Sequence, residues 1–257
     1  MYVAGIDIGS STTKVVVLNQ RNVLAAQITE TMPDSSETAE STVAAVLSEC
    51  HLGLNDLSCV VATGYGRVNV PFANRTVTEI ACHAKGVHFI FPNARTVLDM
   101  GGQDCKAIRV DSNGNHMSFV MNDKCAAGTG RFLEVIARTL GIPLSELGPL
   151  SLQTDAPVRI SSVCTVFTRS EVVRYLRKGV SKSSIAAGIC DATVERVVTL
   201  LKRVGIEQEF VISGGIGKNI GVVKRIEAKL GIPARIPPEP QIVGALGAAL
   251  FASEAVT

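Results

Sequence analysis

One short pattern occurs twice in this chain, and it constrains the possible fold more than any other feature. IDIGSSTTKVVVL (6–18) aligns without a gap on LDMGGQDCKAIRV (98–110). Three pairs of special residues match, each pair 92 residues apart: Asp7 and Asp99, Gly9 and Gly101, Lys14 and Lys106. Both copies place an aspartate and a glycine where an apolar strand ends, and a lysine in the following strand. The match predicts a duplicated structural unit.

Strand and helix signals alternate around each copy. In the first half, three strand signals precede a helix that begins near Ser35 or Ser36, a strand at SCVVATG and a helix containing TEIACHA. The pattern restarts at residue 96 with strands at TVLDMGG, CKAIRV and HMSFVM. We therefore predict an α/β fold of two lobes around a cleft. Residues 1–95 form lobe I, which a C-terminal helix at 241–257 completes, and residues 96–240 form lobe II.

Composition excludes several classes of function. The net charge of +2 comes without clustered basic runs, and aromatic residues make up 4% of the chain, so we expect no nucleic-acid partner. The longest uncharged apolar tract, PQIVGALGAALFAS (240–253), is too short to cross a bilayer comfortably. Met1 is followed by a strand pattern instead of a secretory signal. We therefore expect a soluble, cytoplasmic protein with no membrane partner.

The metal-binding residue types show no familiar spacing. The seven cysteines are Cys50, Cys59, Cys82, Cys105, Cys125, Cys164 and Cys190. Without a secretory signal or a CxxC pair, a disulfide framework is not expected, and most of these thiols should be small core residues. The four histidines have no HxxxH spacing, so we interpret them as structural or exposed: His51, His83, His88 and His116.

The segment DIGSSTTK (7–14) has the composition of a phosphate-binding hairpin. Small and hydroxyl residues let backbone N–H groups approach phosphate oxygens, and a lysine adds positive charge. The candidates for nucleotide binding are Gly9, Ser10, Ser11, Thr12, Thr13 and Lys14. Asp7 is a candidate catalytic residue and a candidate ligand for Mg²⁺ through water. The alternative is an ordinary surface hairpin.

The segment DMGGQD (99–104) repeats this arrangement. Asp99 is a second candidate for holding Mg²⁺ through water, and Gly101 and Gly102 are candidates for contact with phosphate. Gln103 and Asp104 are candidates for positioning the attacking water in phosphoryl transfer. The alternative is a second structural hairpin.

The segment SGGIGKN (213–219) follows the strand signal EFVI. Its spacing is neither the dinucleotide fingerprint nor a P-loop, and alone it is typical of an ordinary strand-to-helix turn. Paired glycines after a strand nevertheless let the backbone pack against a ring or a phosphate. The candidates for nucleotide binding are Gly214, Gly215, Lys218, Asn219 and Gln241.

Taken in order, these three segments resemble the phosphate-1, phosphate-2 and adenosine motifs of the actin, sugar-kinase and heat-shock-chaperone ATPase superfamily. The duplication and the closing VGALGAAL segment fit that superfamily too. The resemblance implies a duplicated fold with two lobes around a cleft that binds ATP or ADP with Mg²⁺.

Two cysteine segments carry a more specific resemblance. NDKCAAGTGRF (122–132) and ISSVCTVF (160–167), with ATGYGR, TEIACHA and DMGGQDCK, resemble the ATP-dependent activator component of 2-hydroxyacyl-CoA dehydratases and its benzoyl-CoA reductase relatives. The resemblance implies that Cys125 and Cys164 from each of two subunits bind one 4Fe–4S cluster across a homodimer. It also implies an ATPase coupled to electron transfer, with a ferredoxin or flavodoxin as reductant. The acceptor would be an Fe–S dehydratase, a benzoyl-CoA reductase or a double-cubane cluster protein.

The residues around these cysteines suit an anionic cluster. Each cysteine precedes a predicted helix, AAGTGRFLEVIARTL or TVFTRSEVVRYLRKG, and the partial positive charge of a helix N-terminus lowers a thiol pKa. Asp123 and Lys124 flank Cys125 and are expected to shape its turn. One departure is visible, because Arg169 stands where the resembled family commonly has an acid. Without the resemblance, two buried and inert cysteines would be the favoured interpretation.

Two other functions fit the same fold. A small-molecule kinase would phosphorylate an acceptor such as a sugar and would keep the cysteines as passive residues. A nucleotide-gated scaffold would bind ATP and a partner without turnover. The pair of cysteines before helices favours the electron donor, because a kinase does not need them.

Overall fold

The computed structural model describes residues 1–122, 124–161 and 164–256; the predicted turn residue Asp123 lies outside these ranges, as do Ser162 and Val163 of the second cysteine segment. The first five strands within them form one sheet, in the order β3-β2-β1-β4-β5. Their bounds are β1 Tyr2–Ile8, β2 Thr12–Asn19, β3 Asn22–Glu30, β4 Leu57–Gly64 and β5 Arg75–Thr76. The strands predicted in the first half are confirmed.

The second sheet repeats the first, with β6 to β10 in the places of β1 to β5 and the order β8-β7-β6-β9-β10. Its strands are β6 Thr96–Met100, β7 Cys105–Val110, β8 His116–Asn122, β9 Phe210–Ser213 and β10 Ala234–Arg235. β1 pairs antiparallel with β2 and parallel with β4, just as β6 pairs antiparallel with β7 and parallel with β9. The predicted duplication is therefore present in the topology of the sheets.

Eight α-helices occur in the described ranges. They are α1 Ser35–Glu49, α2 Glu79–Ile90, α3 Gly130–Leu140, α4 Leu144–Ser151, α5 Thr165–Arg177, α6 Lys182–Val204, α7 Ile220–Leu230 and α8 Val243–Ala255. Helix α1 begins at Ser35 because the Asp34 carboxylate accepts hydrogen bonds from the N–H groups of Ser36 and Glu37, which satisfies the first turn. In the part of the chain that the structure describes, no helix combines the length and apolar character needed to cross a membrane.

Helix α8 joins the end of the chain to the first sheet. It is rich in alanine and glycine, so its backbone can lie close to the strands. Ala245, Leu246 and Ala249 share a buried core with Val3 of β1 and Val61 of β4. The small side chains of the last helix thus complete the core over the first sheet.

Helix α2 packs against the second sheet. Its residues Ile80, Ala84 and Val87 share a buried cluster with Val97 of β6 and Ile108 of β7. The same helix also contacts α8 through Gly86, where a Cβ would overlap the carbonyl of Val243. Helix α2 therefore lies against both the second sheet and α8.

The two helices predicted after the cysteines begin at different distances from them. Helix α5 starts at Thr165, directly after Cys164. Helix α3 starts only at Gly130, because residues 126–129 form a turn in which the N–H of Thr129 donates to the carbonyl of Ala126 at 3.0 Å. The expectation that Cys125 directly precedes its helix is wrong.

Candidate functional site

The two duplicated aspartates each face a lysine across an antiparallel pair of strands. Asp7 is paired in register with Lys14, and Asp99 with Lys106. The carboxylate-to-ammonium distance is 3.3 Å in both pairs, from Oδ2 to Nζ. Antiparallel register thus creates an ion pair at the same place in each sheet, partly buried in the first and buried in the second, and Lys14 is held beside Asp7 at the first candidate phosphate loop.

Asp99 is surrounded by donors from other parts of the chain. Nε2 of His83 lies 3.4 Å from Oδ2 of Asp99, and the hydroxyl of Ser213 donates to Oδ1 at 3.3 Å. The second ring nitrogen of His83 is 3.3 Å from the same hydroxyl. Burial by itself would raise the pKa of Asp99, but His83, Lys106 and Lys14 outweigh it and lower that pKa. Asp99 is therefore held as a carboxylate.

His83 is a residue that the sequence interpretation missed. Its sequence context offered no metal-ligand spacing, and its only signal was its place in the TEIACHA segment on α2. It is buried, and a Cβ at Gly244 of α8 would lie 3.0 Å from both its Nε2 and Oδ2 of Asp7. His83 thus lies between the two duplicated carboxylates.

Lys106 is the centre of a carboxylate cluster. Its side chain is 2% exposed, and its ammonium lies 2.7 Å from Asp104, 3.3 Å from Asp99 and 3.5 Å from Glu79. Burial would lower the pKa of Lys106, but these three carboxylates raise it well above its usual value. Burial raises the pKa of Glu79, and Lys106 offsets part of that rise. Asp104, predicted to position water, is bound to Lys106, whereas Gln103 is exposed on the same loop.

The two candidate phosphate loops meet. A Cβ at Gly102 would lie 2.8 Å from Cβ of Ser11 and 3.4 Å from Oγ of Ser10, so the loops are within van der Waals contact. In the first loop the N–H of Gly9 donates to the carbonyl of Thr12, and the hydroxyl of buried Thr13 lies 3.0 Å from that of Thr31. The structure therefore brings Ser10, Ser11 and Gly102 together, while Thr12 and Thr13 shape the hairpin itself.

A glycine with positive φ lies at the end of the inner parallel strand of each sheet. Gly64, the last residue of β4, has φ +87°, and Gly214, directly after β9, has φ +77°, a backbone conformation that favours glycine. A Cβ would lie 2.5 Å from Oδ1 of Asp7 at the first position and 2.7 Å from Oδ1 of Asp99 at the second. Each aspartate carboxylate is thus packed directly against glycine backbone, at a position where any side chain would clash.

The third candidate segment lies next to this cluster. A Cβ at Gly215 would be 3.8 Å from Nε2 of Gln241, so these two predicted residues are neighbours. The ammonium of Lys218 lies 2.8 Å from the Glu239 carboxylate, and the Asn219 side chain accepts from the N–H of Val222. Asn219 therefore serves as the N-terminal cap of α7 in this structure.

Four of the seven cysteines are buried, whereas Cys50 and the two predicted cluster ligands are not. Cys164 is exposed and Cys125 is half-buried. Burial raises the thiol pKa of each of the other five, to about 12 in Cys82. These five are Cys50, Cys59, Cys82, Cys105 and Cys190. Accessible thiols are the donors that iron–sulfur clusters require, so Cys125 and Cys164 fit that chemistry.

One copy of the chain does not supply a complete set of cluster ligands. Among residues 1–122, 124–161 and 164–256, no group of three or more His, Cys, Asp or Glu side chains could hold a metal ion. A cluster normally takes four thiolates, and the two predicted ligands of one chain supply only half of that number. The donor set fits a cluster shared by two copies.

Backbone hydrogen bonds join the second phosphate loop to α3. The N–H of Gly130 donates to the carbonyl of Gly101 at 2.9 Å, and the N–H of Arg131 donates to that of Gly102 at 2.8 Å. The first donors of α3 are therefore directed at the phosphate loop. The prediction that this N-terminus serves Cys125 is not supported, although Cys164 does stand at the N-terminus of α5.

The sequence profile of the BadF/BadG/BcrA/BcrD ATPase family matches residues 4–252. The chain belongs to this family. The activator of lactoyl-CoA dehydratase from Anaerotignum propionicum is 45% identical over 256 residues, which cover 99% of this chain and 98% of that protein. The resemblance inferred from the cysteine segments is thereby confirmed.

Solved structures place the BadF/BadG/BcrA/BcrD chain in the same fold as its relatives. Component A of Acidaminococcus fermentans (R)-2-hydroxyglutaryl-CoA dehydratase has a TM-score of 0.95 at 41% identity, covering 99% of this chain and 98% of that one. The Clostridium difficile 2-hydroxyisocaproyl-CoA dehydratase activator with bound ADPNP has a TM-score of 0.94 at 40% identity, covering 99% and 95%. A ROK family glucokinase from Streptomyces griseus, 13% identical with a TM-score of 0.62, shares the fold alone and covers 99% and 100%. The predicted sugar-kinase-like ATPase fold is confirmed.

Proposed function

We propose that this chain is an ATP-hydrolysing electron donor that works as a homodimer. It would receive electrons from a ferredoxin or flavodoxin and pass them, at low potential, to a partner Fe–S enzyme of the dehydratase or reductase type. Family membership supports the ATPase, and relatives that activate dehydratases support the acceptor class. The observation that carries the coupling is the pair of hydrogen bonds from α3 to the second phosphate loop.

The nucleotide would bind where the three candidate segments converge. We assign phosphate contact to Ser10, Ser11 and Gly102, which lie on the two loops that meet. The nucleoside would lie near Gly215 and Gln241, the neighbours in the third segment. The relative solved with ADPNP makes an ATP-like ligand the natural occupant of this fold.

Asp7 and Asp99 would hold Mg²⁺ through water. Each carboxylate already has a lysine at 3.3 Å, so a hydrated ion suits these positions better than direct ligation. Glycine at positions 64 and 214 keeps side chains away from both carboxylates, because a Cβ there would lie 2.5 and 2.7 Å from an aspartate oxygen. We keep Gln103 and Asp104 as the candidates for positioning the attacking water. Gln103 is exposed, whereas Asp104 is paired with Lys106 and would have to leave that ion pair before it could bind water.

Cys125 and Cys164 would hold the cluster, two from each subunit. When bound, a 4Fe–4S cluster supplies a one-electron redox centre whose potential depends on its protein surroundings. The second phosphate loop accepts hydrogen bonds from the first two N–H groups of α3, and Cys125 lies in the loop just before that helix. A change in the phosphate loop on nucleotide hydrolysis would therefore shift α3 and the Cys125 loop together.

Anaerobic purification tests this proposal directly. We expect a brown protein with about four irons and four sulfides per dimer, and an ATPase activity that rises when the acceptor enzyme is added. A colourless kinase would instead transfer phosphate to a small-molecule acceptor, and a scaffold would bind ATP without turnover. An iron-free dimer with full native activity would exclude the electron donor.

A further inference from the structure

The segment that leads to Cys164 is fastened to α5 by a buried carboxylate. The N–H of Ser161 lies 3.3 and 3.1 Å from Oε1 and Oε2 of Glu171, and the Ser161 hydroxyl donates to Oε1 at 2.8 Å. The guanidinium of Arg174 donates to the same carboxylate at 3.3 Å. Glu171 is 7% exposed, and a carboxylate is buried at such a position only when its oxygens are satisfied. The Glu171 carboxylate thus accepts hydrogen bonds from both the backbone and the side chain of Ser161.

A second side chain fastens the same segment to the same helix. The hydroxyl of Tyr175 donates to the carbonyl of Arg159 at 2.8 Å. Glu171 and Tyr175 are four residues apart, so they lie on one face of α5. Two attachments at residues 159 and 161 fix both the position and the direction of the segment three residues before Cys164.

Cys164 is also fixed from its other side. Its carbonyl accepts a hydrogen bond from the N–H of Thr168 at 2.9 Å, so Cys164 is the N-terminal cap residue of α5. Cys125 has a different support, because the Asn122 amide at the end of β8 donates to its carbonyl at 2.9 Å. One thiol is therefore supported by a helix and the other by the end of the second sheet.

We propose that Glu171 is the positioning residue for Cys164. Together with Tyr175 it holds the preceding segment on α5, so that the thiol and the helix move as one body. The consequence for cluster retention rests on the proposed function, because it assumes that Cys164 is a ligand. The attachment of the segment does not depend on it.

Amide hydrogen exchange of the full-length protein tests the attachment. In Glu171→Gln the side chain keeps its size but loses its charge and one acceptor, so exchange at Ser161 should accelerate about ten-fold, as expected for loss of a hydrogen bond to a charged group. Exchange in the middle of α5 should be unchanged. Glu195→Gln, at an exposed position on α6, removes the same charge and serves as the control. Unchanged exchange at Ser161 in Glu171→Gln would overturn the inference.

Iron release to a chelator tests the positioning role. The iron-loaded Glu171→Gln protein should lose iron several-fold faster than the unsubstituted protein, while nucleotide binding stays the same. Tyr175→Phe removes one hydroxyl and should accelerate iron release by a smaller factor. If Glu171→Gln fails to fold, the release rate of Tyr175→Phe tests the positioning role instead. Equal release rates from all these proteins would remove the positioning role. A protein that never contains iron would instead sink the proposed function, while hydrogen exchange would still judge the attachment.

Discussion

The backbone N–H of Gly130 donates a hydrogen bond of 2.9 Å to the carbonyl of Gly101. Gly101 belongs to a candidate phosphate loop, and Gly130 is the first residue of the helix that follows Cys125. Rigid backbone therefore connects the end of β6 to the cysteine loop, without a flexible side chain between them. In the proposed function, this connection would give nucleotide hydrolysis a short route to the Cys125 thiol.

Serine at either predicted ligand position should remove the iron centre. In Cys125→Ser and Cys164→Ser we expect loss of the iron absorption, because serine does not supply the thiolate that a cluster needs. Nucleotide binding should persist, since neither thiol belongs to the candidate nucleotide site. Cys50→Ser, on a half-buried thiol at the end of α1, is the control and should keep its iron. Full iron absorption in both ligand variants would refute the assignment.

A methyl group at Gly102 should push the two phosphate loops apart. Its Cβ would lie 2.8 Å from Cβ of Ser11, closer than real side chains pack. Gly102→Ala should weaken ADP binding by about ten-fold or more, the scale of an overpacking cost. Calorimetric titration measures this, with Gly53→Ala as the control because its nearest atom would be 3.7 Å away. Equal affinities in the two variants would show that the loop contact does not matter.

Neutralising Asp99 should cost stability in a pH-dependent way. Lys106 keeps two other carboxylates in Asp99→Asn, so we expect a loss of about 2 kcal/mol in unfolding free energy near neutral pH, less than for a fully broken buried pair. The pKa of Asp99 is lower in the folded state, so its contribution is complete above the unfolded value of about 3.9. It is lost as pH falls through the lower folded pKa.

Urea titrations at several pH values check that prediction. The difference between the unsubstituted protein and Asp99→Asn should shrink as the pH is lowered below about 4. Asp155→Asn, at an exposed position, should match the unsubstituted protein throughout. A difference that grows on acidification would contradict the direction of the pKa shift.

Alkylation should distinguish the cysteines by their surroundings. In metal-free native protein at about pH 8, iodoacetamide should modify exposed Cys164 first and Cys125 second, since thiolate character and access control reactivity. Cys82 should resist, because burial raises its pKa to about 12. Peptide mass spectrometry gives the order, and unfolded protein is the control in which these thiols should react alike. Early modification of Cys82 would argue against this packing.

The sequence predicted the duplicated sheets and the places of the central carboxylates. The hairpin pattern is local, so the aspartate at a strand end and the lysine in the following strand were both predicted, whereas the ion pair between them was found only in the structure. The same local logic placed Cys164 at the start of α5. It failed for α3, where a turn at residues 126–129 delays the helix.

Contacts between distant residues had to await the tertiary structure. The sequence determined by itself that the chain is a duplicated α/β protein with two candidate phosphate loops and two cysteines set apart from the rest. Packing of α2 decided that His83 lies 3.4 Å from Asp99, and packing of the loops decided that Ser11 meets Gly102. Likewise, the sequence does not distinguish Glu171 from other helical glutamates, and only the fold shows that the N–H of Ser161 donates to its carboxylate. Local patterns fix strands and turns, but the side chains that meet across the core depend on how all the elements pack at once.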